Sequence, residues 1–327
     1  MRRQSRRSTR LFAAFGVLVI VTASSVFLYL RQGTPDALLA RAGRIASVEA
    51  TPVVAGDGFT YTDLVLRSSS GLVVQARVRV PATIQGPLPA AVLVGGLKRG
   101  RRVAGVRGLD AIARNAIIVS PDYPLDQHRR AWRGSALIPS LARVRPAAFD
   151  AIASVPLLLD YLASRTDVRA DALFLVGSSL GASVVTIAGA IDERPRAVVV
   201  LYGGGKIGSL IAHTLAHDGE RPLPPWQAWL AGHALAVWIA PLEPVRYVAG
   251  IAPRPLLLVN GSDDTMIPRR NVLELYDAAG VPKDLRWTAG EHVQPDEDVL
   301  IQRLADLVVE WLAQRAALPL ARAVGNH

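Results

Sequence analysis

Five short, nearly unbroken apolar runs, at residues 90–94, 116–119, 172–176, 197–202 and 255–259, constrain the fold of this chain more than any other feature. Runs of that length without polar alternation suit parallel strands buried on both faces. Helical patterns separate them. One, over 147–164, contains Pro156, where a helix should kink or start afresh. The last, over 299–316, sets Leu300, Ile301, Leu304, Leu307, Val308, Trp311 and Leu312 on one stripe, as a helix packed on a sheet requires. Strand alternating with helix specifies an α/β architecture, a mostly parallel sheet with helices on both faces. Right-handed crossovers restrict the strand order without fixing it. Ahead of the first run, 61–67 and 72–80 alternate around the turn 68–71. Val74, Ala76, Val78 and Val80 interleave with Gln75, Arg77 and Arg79, the pattern of an antiparallel hairpin with one buried face. Residues 206–250 break the rhythm with Trp226, Trp229 and Trp238 and with Pro222, Pro224 and Pro225, which reads as a small helical cap.

The 327 residues, half of them apolar, suffice for one large core, expected over 57–316. The formal charge of +10 draws half its value from Arg2, Arg3, Arg6, Arg7 and Arg10, and the rest is spread thinly, so no nucleic-acid partner is expected. Cysteine is absent, which removes disulfides, thiolate metal sites and cysteine nucleophiles and leaves the compartment to targeting signals. Residues 1–10 form a basic segment. Residues 11–30 are an uncharged run closed by Arg31, and about 20 apolar residues as a helix span the hydrocarbon layer. The positive-inside bias holds the arginines in the cytoplasm and puts the domain on the far side. A cleaved signal peptide is the competing reading. Thr22, Ala23, Ser24 and Ser25 supply small residues for it, but Phe27, Leu28, Tyr29 and Leu30 extend the apolar run past them. Either reading exports the domain. Residues 31–56 read as a tether or short helix, and 317–327 as a tail.

The chemistry centres on Gly177, Ser178, Ser179, Leu180 and Gly181, a GxSxG set between the run 172–176 and the helical stretch 182–190. On a strand-to-helix turn the serine is presented at the sheet's edge, and glycines two residues to either side let backbones approach without side-chain clash. A serine hydroxyl is a poor nucleophile near neutral pH; it needs a base, and the base needs a partner that fixes its tautomer. Asp263 and Asp264 follow the run 255–259 in the loop 260–268. His292 follows the strand-like 285–287 and precedes the final helix. The ends of strands are where open α/β sheets hold their ligands.

These motifs, GSSLGA at 177–182, NGSDDTMIP at 260–268 and GEH at 290–292, resemble the α/β-hydrolase superfamily and, within it, the dienelactone-hydrolase-like and acyl-peptidase-like serine esterases. The resemblance covers roughly 61–314. It implies an acid three residues after the glycine of its loop, which selects Asp264 over Asp263, and a triad of Ser179, Asp264 and His292. It also implies an oxyanion hole from the amides of Leu180 and of Leu97. Many relatives begin the latter loop with His-Gly where this chain has Gly95 and Gly96.

Other patterns carry less. Gly203, Gly205 and Gly208 spell GxGxxG, but late in the chain and before a Pro-rich and Trp-rich stretch, which suits a loop entering the cap. Arg101 and Arg102 stand where a phosphate-binding loop starting at Gly95 needs Lys and Ser or Thr. His213 and His217 lie four apart, yet Thr214 replaces the metalloprotease glutamate and no third ligand is evident. Glu243 reads equally as a helix cap or as solvated surface. The basic run Lys98, Arg99, Arg101 and Arg102 is either a solvated loop or a field that attracts anionic substrates. The expected activity is hydrolysis of a small ester, with thioesters and short peptides as alternatives, without cofactor or metal. A noncatalytic, membrane-anchored interaction module on the same scaffold is the rival.

Overall fold

The computed structural model of the chain describes residues 21–22, 24–26, 28–29, 31–96, 99–124, 137–217, 222–294 and 296–315. Each apolar run becomes a strand: β4 (Leu88–Val94), β5 (Ile117–Pro121), β6 (Val168–Ser178), β7 (Ala197–Leu201) and β8 (Leu256–Gly261), followed by β9 (Lys283–Thr288). They pair in parallel, while β1 (Ile45–Gly56), β2 (Phe59–Ser68) and β3 (Val73–Pro81) add an antiparallel edge. The nine-stranded order is β1-β2-β3-β5-β4-β6-β7-β8-β9. The expected mostly parallel sheet with an N-terminal hairpin is therefore present.

Alternate side chains of the central strands enter two cores, as the strand period of two requires. Val92, Leu175, Val200 and Leu258 face one core; Leu93, Phe174, Val199 and Leu257 face the other. The first core is closed by α1 (Pro35–Ala42), α3 (Leu137–Ala163), α4 (Leu180–Ile191) and α7 (Arg269–Ala278). The second is closed by the 3-10 segments of 100–109, by α2 (Asp110–Ala113) and by α8 (Asp298–Arg315), whose stripe buries Leu304, Val308, Trp311 and Leu312 as expected. The chain passes from β4 outward to β5 and then returns to β6 on the other side of β4. The sheet's direction of winding reverses there, and that point opens a crevice at the strands' carboxyl ends.

Three expectations change. The segment 31–56 is more than a tether or short helix: after α1 it forms the edge strand β1, in register with β2 from Ser47↔Arg67 to Val53↔Tyr61. Its sequence gave no strand pattern because its described side chains are exposed or half-buried, and backbone pairing rather than a buried face holds it. Pro52 is tolerated because the strand is at the edge. The hairpin's polar face is also covered at its Arg79 end, while Gln75 stays exposed. Arg79, read as facing solvent, is 2% exposed. Its guanidinium lies 3.7 Å from the Phe59 ring centroid, donates to the carbonyl of Val106 at 3.2 Å and pairs with Asp110. Finally, α3 is a single helix containing both Pro146 and Pro156. Burial of Val155, Leu157, Leu158, Leu159 and Leu162 offsets the hydrogen bond that proline removes, so Pro156 does not start a new helix.

In the segment expected as a cap, α5 (Ile207–His217) and α6 (Pro225–Ile239) pack on each other and are followed by 3-10 turns. Of the proposed span 11–30, residues 11–20 lie outside the described residues, as do 1–10 and 317–327; the described residues between 21 and 31 are helical. Among the described residues two helical stretches are long and apolar enough to cross a membrane, Arg143–Ala163 and Pro225–Ile251. The first is mostly buried in the core.

Candidate active site

Steric necessity shapes the turn between β6 and α4. Ser179 has φ 56° and ψ −118°, a left-handed conformation that costs a non-glycine residue about 1–3 kcal/mol and persists only when its surroundings fix it. They do so from both sides. The Ser179 N–H donates to the carbonyl of Leu201 at 2.9 Å, and the Ser179 carbonyl accepts from Ala182 at 3.0 Å. A Cβ on Gly177 would stand 2.3 Å from the Gly181 carbonyl oxygen, and one on Gly181 would stand 2.0 Å from that of Val94. Both glycines of the motif are thus demanded by backbone approach.

The loops after β8 and β9 bring the other two residues to this turn. His292 Nε2 lies 3.1 Å from Ser179 Oγ, and His292 Nδ1 lies 2.9 Å from Asp264 Oδ2. Asp264 is 1% exposed and His292 6% at the side chain, so the pair is shielded from water. The second Asp264 oxygen accepts from the amides of Met266 and Ile267 at 2.8 and 2.9 Å, which fixes the carboxylate. Asp263 is exposed and accepts from the Ser262 hydroxyl at 2.9 Å. Geometry therefore couples Asp264, and not its neighbour, to the histidine. With Nδ1–H donating to the carboxylate, Nε2 is left to accept the serine proton, the arrangement in which a serine becomes a nucleophile. The two loops meet at Gly261, where a Cβ would stand 2.5 Å from the Gly290 carbonyl oxygen.

Sequence reasoning missed Tyr202. The apolar run 197–202 places it at the end of a strand; instead it follows β7 with φ 53°, fully buried, its ring edge-on to His292 at 5.3 Å and 76°. Its hydroxyl lies 3.2 Å from Thr288 Oγ1. Burial pushes this phenol above its ordinary value; the hydrogen bond to Thr288 opposes that rise and the Asp264 charge adds to it. Tyr202 thus stays a neutral wall beside the imidazole. The glycines at 203–205 were the available signal, since the chain turns sharply there: a Cβ on Gly205 would stand 2.2 Å from Val245. This is a turn into α5, and Gly208 lies inside α5 against Ala236 of α6. Glu243 resolves as a helix cap, accepting from the amides of Lys206 and Ile207 at 2.8 Å each. His213 and His217 stack at 4.2 Å, and His213 Nε2 is 2.7 Å from the Thr265 carbonyl oxygen, tying α5 to the acid loop. Among the described residues no three histidine or carboxylate side chains converge as a metal set.

A cavity of about 610 Å³ opens at Ser179. Its polar lining consists of Arg99, Ser178, Ser179, Thr214, His292 and Gln294; the other walls are apolar and reach Ile112, Leu304 and Val308 in the second core. The basic run at its rim is partly neutralised, because Arg101 pairs with Asp122 at 3.2 Å and reaches Asp63 at 4.0 Å.

Solved structures similar to this chain include acetyl xylan esterase 1 from Thermoanaerobacterium sp. JW/SL YS485 (15% identity, TM-score 0.59, 85% of this chain and 93% of that one). An acetyl xylan esterase from Paenibacillus sp. R4 is similar at 14% identity and TM-score 0.62, over 86% and 93%. A 2,6-dihydroxy-pseudo-oxynicotine hydrolase is similar at 19% and 0.54, over 85% and 72%. The chain has the α/β-hydrolase fold. No family model matches it. By sequence it is similar to the uncharacterized protein YfhR of Escherichia coli K12, 27% identical over 154 residues, 45% of this chain and 49% of that protein. The match thus spans about half the length of the relative. In the α/β-hydrolase fold the serine's turn stands at the carboxyl end of β6, beside the end of β4, at the point where the winding reverses. Leu180 is the first residue of α4, so its amide has no acceptor inside the helix. Leu97 and Lys98 lie outside the described residues; on either side of them, Gly96 and Arg99 line the cavity.

Proposed function

We propose that this chain is a serine hydrolase of carboxylic esters, anchored in the membrane by residues 11–30 with its catalytic domain exported. The hydrogen-bonded series Asp264–His292–Ser179, at 2.9 and 3.1 Å on a left-handed turn at a helix start, carries the reading. In this mechanism Ser179 Oγ attacks the ester carbonyl while His292 Nε2 takes its proton. Asp264 holds the imidazole in the required tautomer and stabilises the imidazolium. The oxyanion is met by the amide of Leu180 and, on the resemblance, that of Leu97; the dipole of α4 adds to both. His292 then returns the proton to the leaving alkoxide, an acyl-enzyme remains, and a water activated by the same histidine releases the acid. That similar solved structures are esterases favours esters over peptides.

A fluorophosphonate probe on the detergent-purified full chain tests this. Stoichiometric labelling that is lost in Ser179→Ala is expected; labelling that persists in the variant would remove Ser179 from the mechanism, and an unlabelled folded wild type would favour the noncatalytic scaffold.

A further inference from the structure

The helix α6 is apolar on all sides but for Gln227 and His233, yet it is not a core helix. Its inner side is built of small residues: Gly232 packs so closely on α5 that a Cβ there would stand 2.6 Å from the Gly208 carbonyl oxygen and from the amide of Ala212. This leaves the large side chains outward. Trp229 and Leu230 lie three and four residues after Trp226, and Val237 seven after Leu230, so all four share one stripe; they are 67%, 58%, 57% and 69% exposed in the order Trp226, Trp229, Leu230 and Val237. Only 28% of the apolar 18-residue segment within Pro225–Ile251 is buried. Large exposed apolar patches mark interaction sites, and tryptophan is enriched where hydrocarbon meets water.

A second observation says what covers the stripe. The apolar helix arriving from the amino terminus, with Val21, Val26 and Leu28 each more than half exposed, ends on α6. The Tyr29 hydroxyl donates to the carbonyl of Val237, and the ring of Tyr29 lies 4.6 Å beneath Arg145, whose Nε donates to the carbonyl of Trp238 at 2.9 Å. A bilayer that holds this amino-terminal helix therefore begins at the carboxyl end of α6. The 15 residues of α6 make a rod of roughly 22 Å running from that junction. Its neighbour α5 supplies Thr214 to the cavity at Ser179, and the cavity mouth carries the exposed Leu180 and Met266.

We infer that α6 lies in the membrane interface with its Trp226–Val237 stripe in the lipid, and that the site takes esters with long acyl chains from that bilayer, the chain filling the apolar cavity that reaches Ile112 and Val308. This rests on the anchor and on the serine-hydrolase reading, and it deepens both by naming the substrate class.

The absence of cysteine allows a single-site test on the full chain. Leu230→Cys and, as reference, Val281→Cys carry an environment-sensitive nitrobenzoxadiazole dye. Val281 is 73% exposed and precedes β9, at the end of the sheet opposite the site. In phosphatidylcholine vesicles the dye at 230 is expected to emit to the blue of the dye at 281 and to be quenched by nitroxide lipid. The dye at 281 should be quenched only by aqueous iodide. Equal iodide quenching at both positions overturns the docking, and so does a dye at 230 shielded from iodide but untouched by nitroxide lipid, which would place a protein partner on the stripe. This reading needs no catalysis, so it stands apart from the fluorophosphonate result. For the substrate class, kcat/KM for p-nitrophenyl esters is expected to rise by up to about fourfold per methylene from butyrate to octanoate. A flat or falling series overturns the acyl-chain assignment. In Trp226→Ala/Trp229→Ala the rate on a vesicle-borne octanoate ester should fall at least tenfold relative to the rate on dissolved butyrate, and an unchanged ratio counts against the interface.

Discussion

At the scale of single residues, the candidate site separates roles that are indistinguishable in composition. Asp263 and Asp264 are adjacent and chemically identical, yet only Asp264 reaches the imidazole, and two amides hold its second oxygen. Asp264→Asn is expected to lower kcat by about 10⁴, because an amide in that place favours the wrong imidazole tautomer, while Asp263→Asn stays within about twofold. Steady-state turnover of p-nitrophenyl butyrate by both variants decides between them, and the reverse order would move the acid role to Asp263. Gly181 offers a structural counterpart. An alanine there would bring its Cβ to 2.0 Å from a backbone oxygen of β4, an atom that cannot swing aside. Gly181→Ala is therefore expected to cost about 3 kcal/mol and to abolish fluorophosphonate labelling. Thermal unfolding with labelling checks both. These residues were legible in the sequence because each sits one short loop from a strong strand or helix signal. Tyr202 was not, since its role depends on a left-handed φ and on a contact with a residue ninety positions away.

At the scale of elements, strands buried on both faces were legible, and strands held by backbone pairing alone were not. β4, β6, β7 and β8 announced themselves as apolar runs, whereas β1 shows an edge strand's mixed composition. Alternation in β3 reads as a strand with one buried face, which holds from Val73 to Val78 and fails at Arg79, because nothing local reveals that the 3-10 segments of 100–109 fold over that residue. The same segments engage one member of the basic run. Arg101 is engaged with Asp122 and Asp63, and Asp63 is held below the usual carboxylate range chiefly by its hydrogen bond from Arg77, with burial opposing and the charges of Arg77 and Arg101 adding. A depressed carboxyl contributes stability above its unfolded-state value and loses it as the pH falls through the folded one. Asp63→Asn is accordingly expected to lower the melting temperature near neutral pH and to narrow that gap below about pH 4. Arg101→Gln is expected to cost about 0.5–1 kcal/mol, since the pair is partly exposed, and to leave unchanged the ratio of kcat/KM between a carboxylate-bearing ester and its neutral isostere. A ratio that falls in the variant would restore the electrostatic reading of this loop.

At the scale of the whole molecule, the proposed export and anchoring make a prediction that single residues cannot. Under that proposal, the five arginines before residue 11 and the uncharged run to residue 30 would orient a spanning helix with its amino terminus in the cytoplasm. The described residues between 21 and 29 are helical, and Tyr29 meets α6. A cleavage among Thr22 to Ser25 would sever the chain within that helix, and the remaining turn would lose the membrane that orients it. The uncleaved chain is therefore expected to remain in the membrane fraction through a high-salt wash, with its translated amino-terminal residues intact on sequencing. Alkaline phosphatase, which is active only after export, is expected to be active when fused after His327. Replacing Arg2, Arg3, Arg6, Arg7 and Arg10 by Gln removes the charge bias and should lower that reporter activity severalfold as the helix loses its orientation. A mature terminus near residue 25 together with release by salt would exclude the anchor. An inactive fusion alongside an active cytoplasmic reporter would instead invert the topology and place the cavity at Ser179 on the inner face of the membrane.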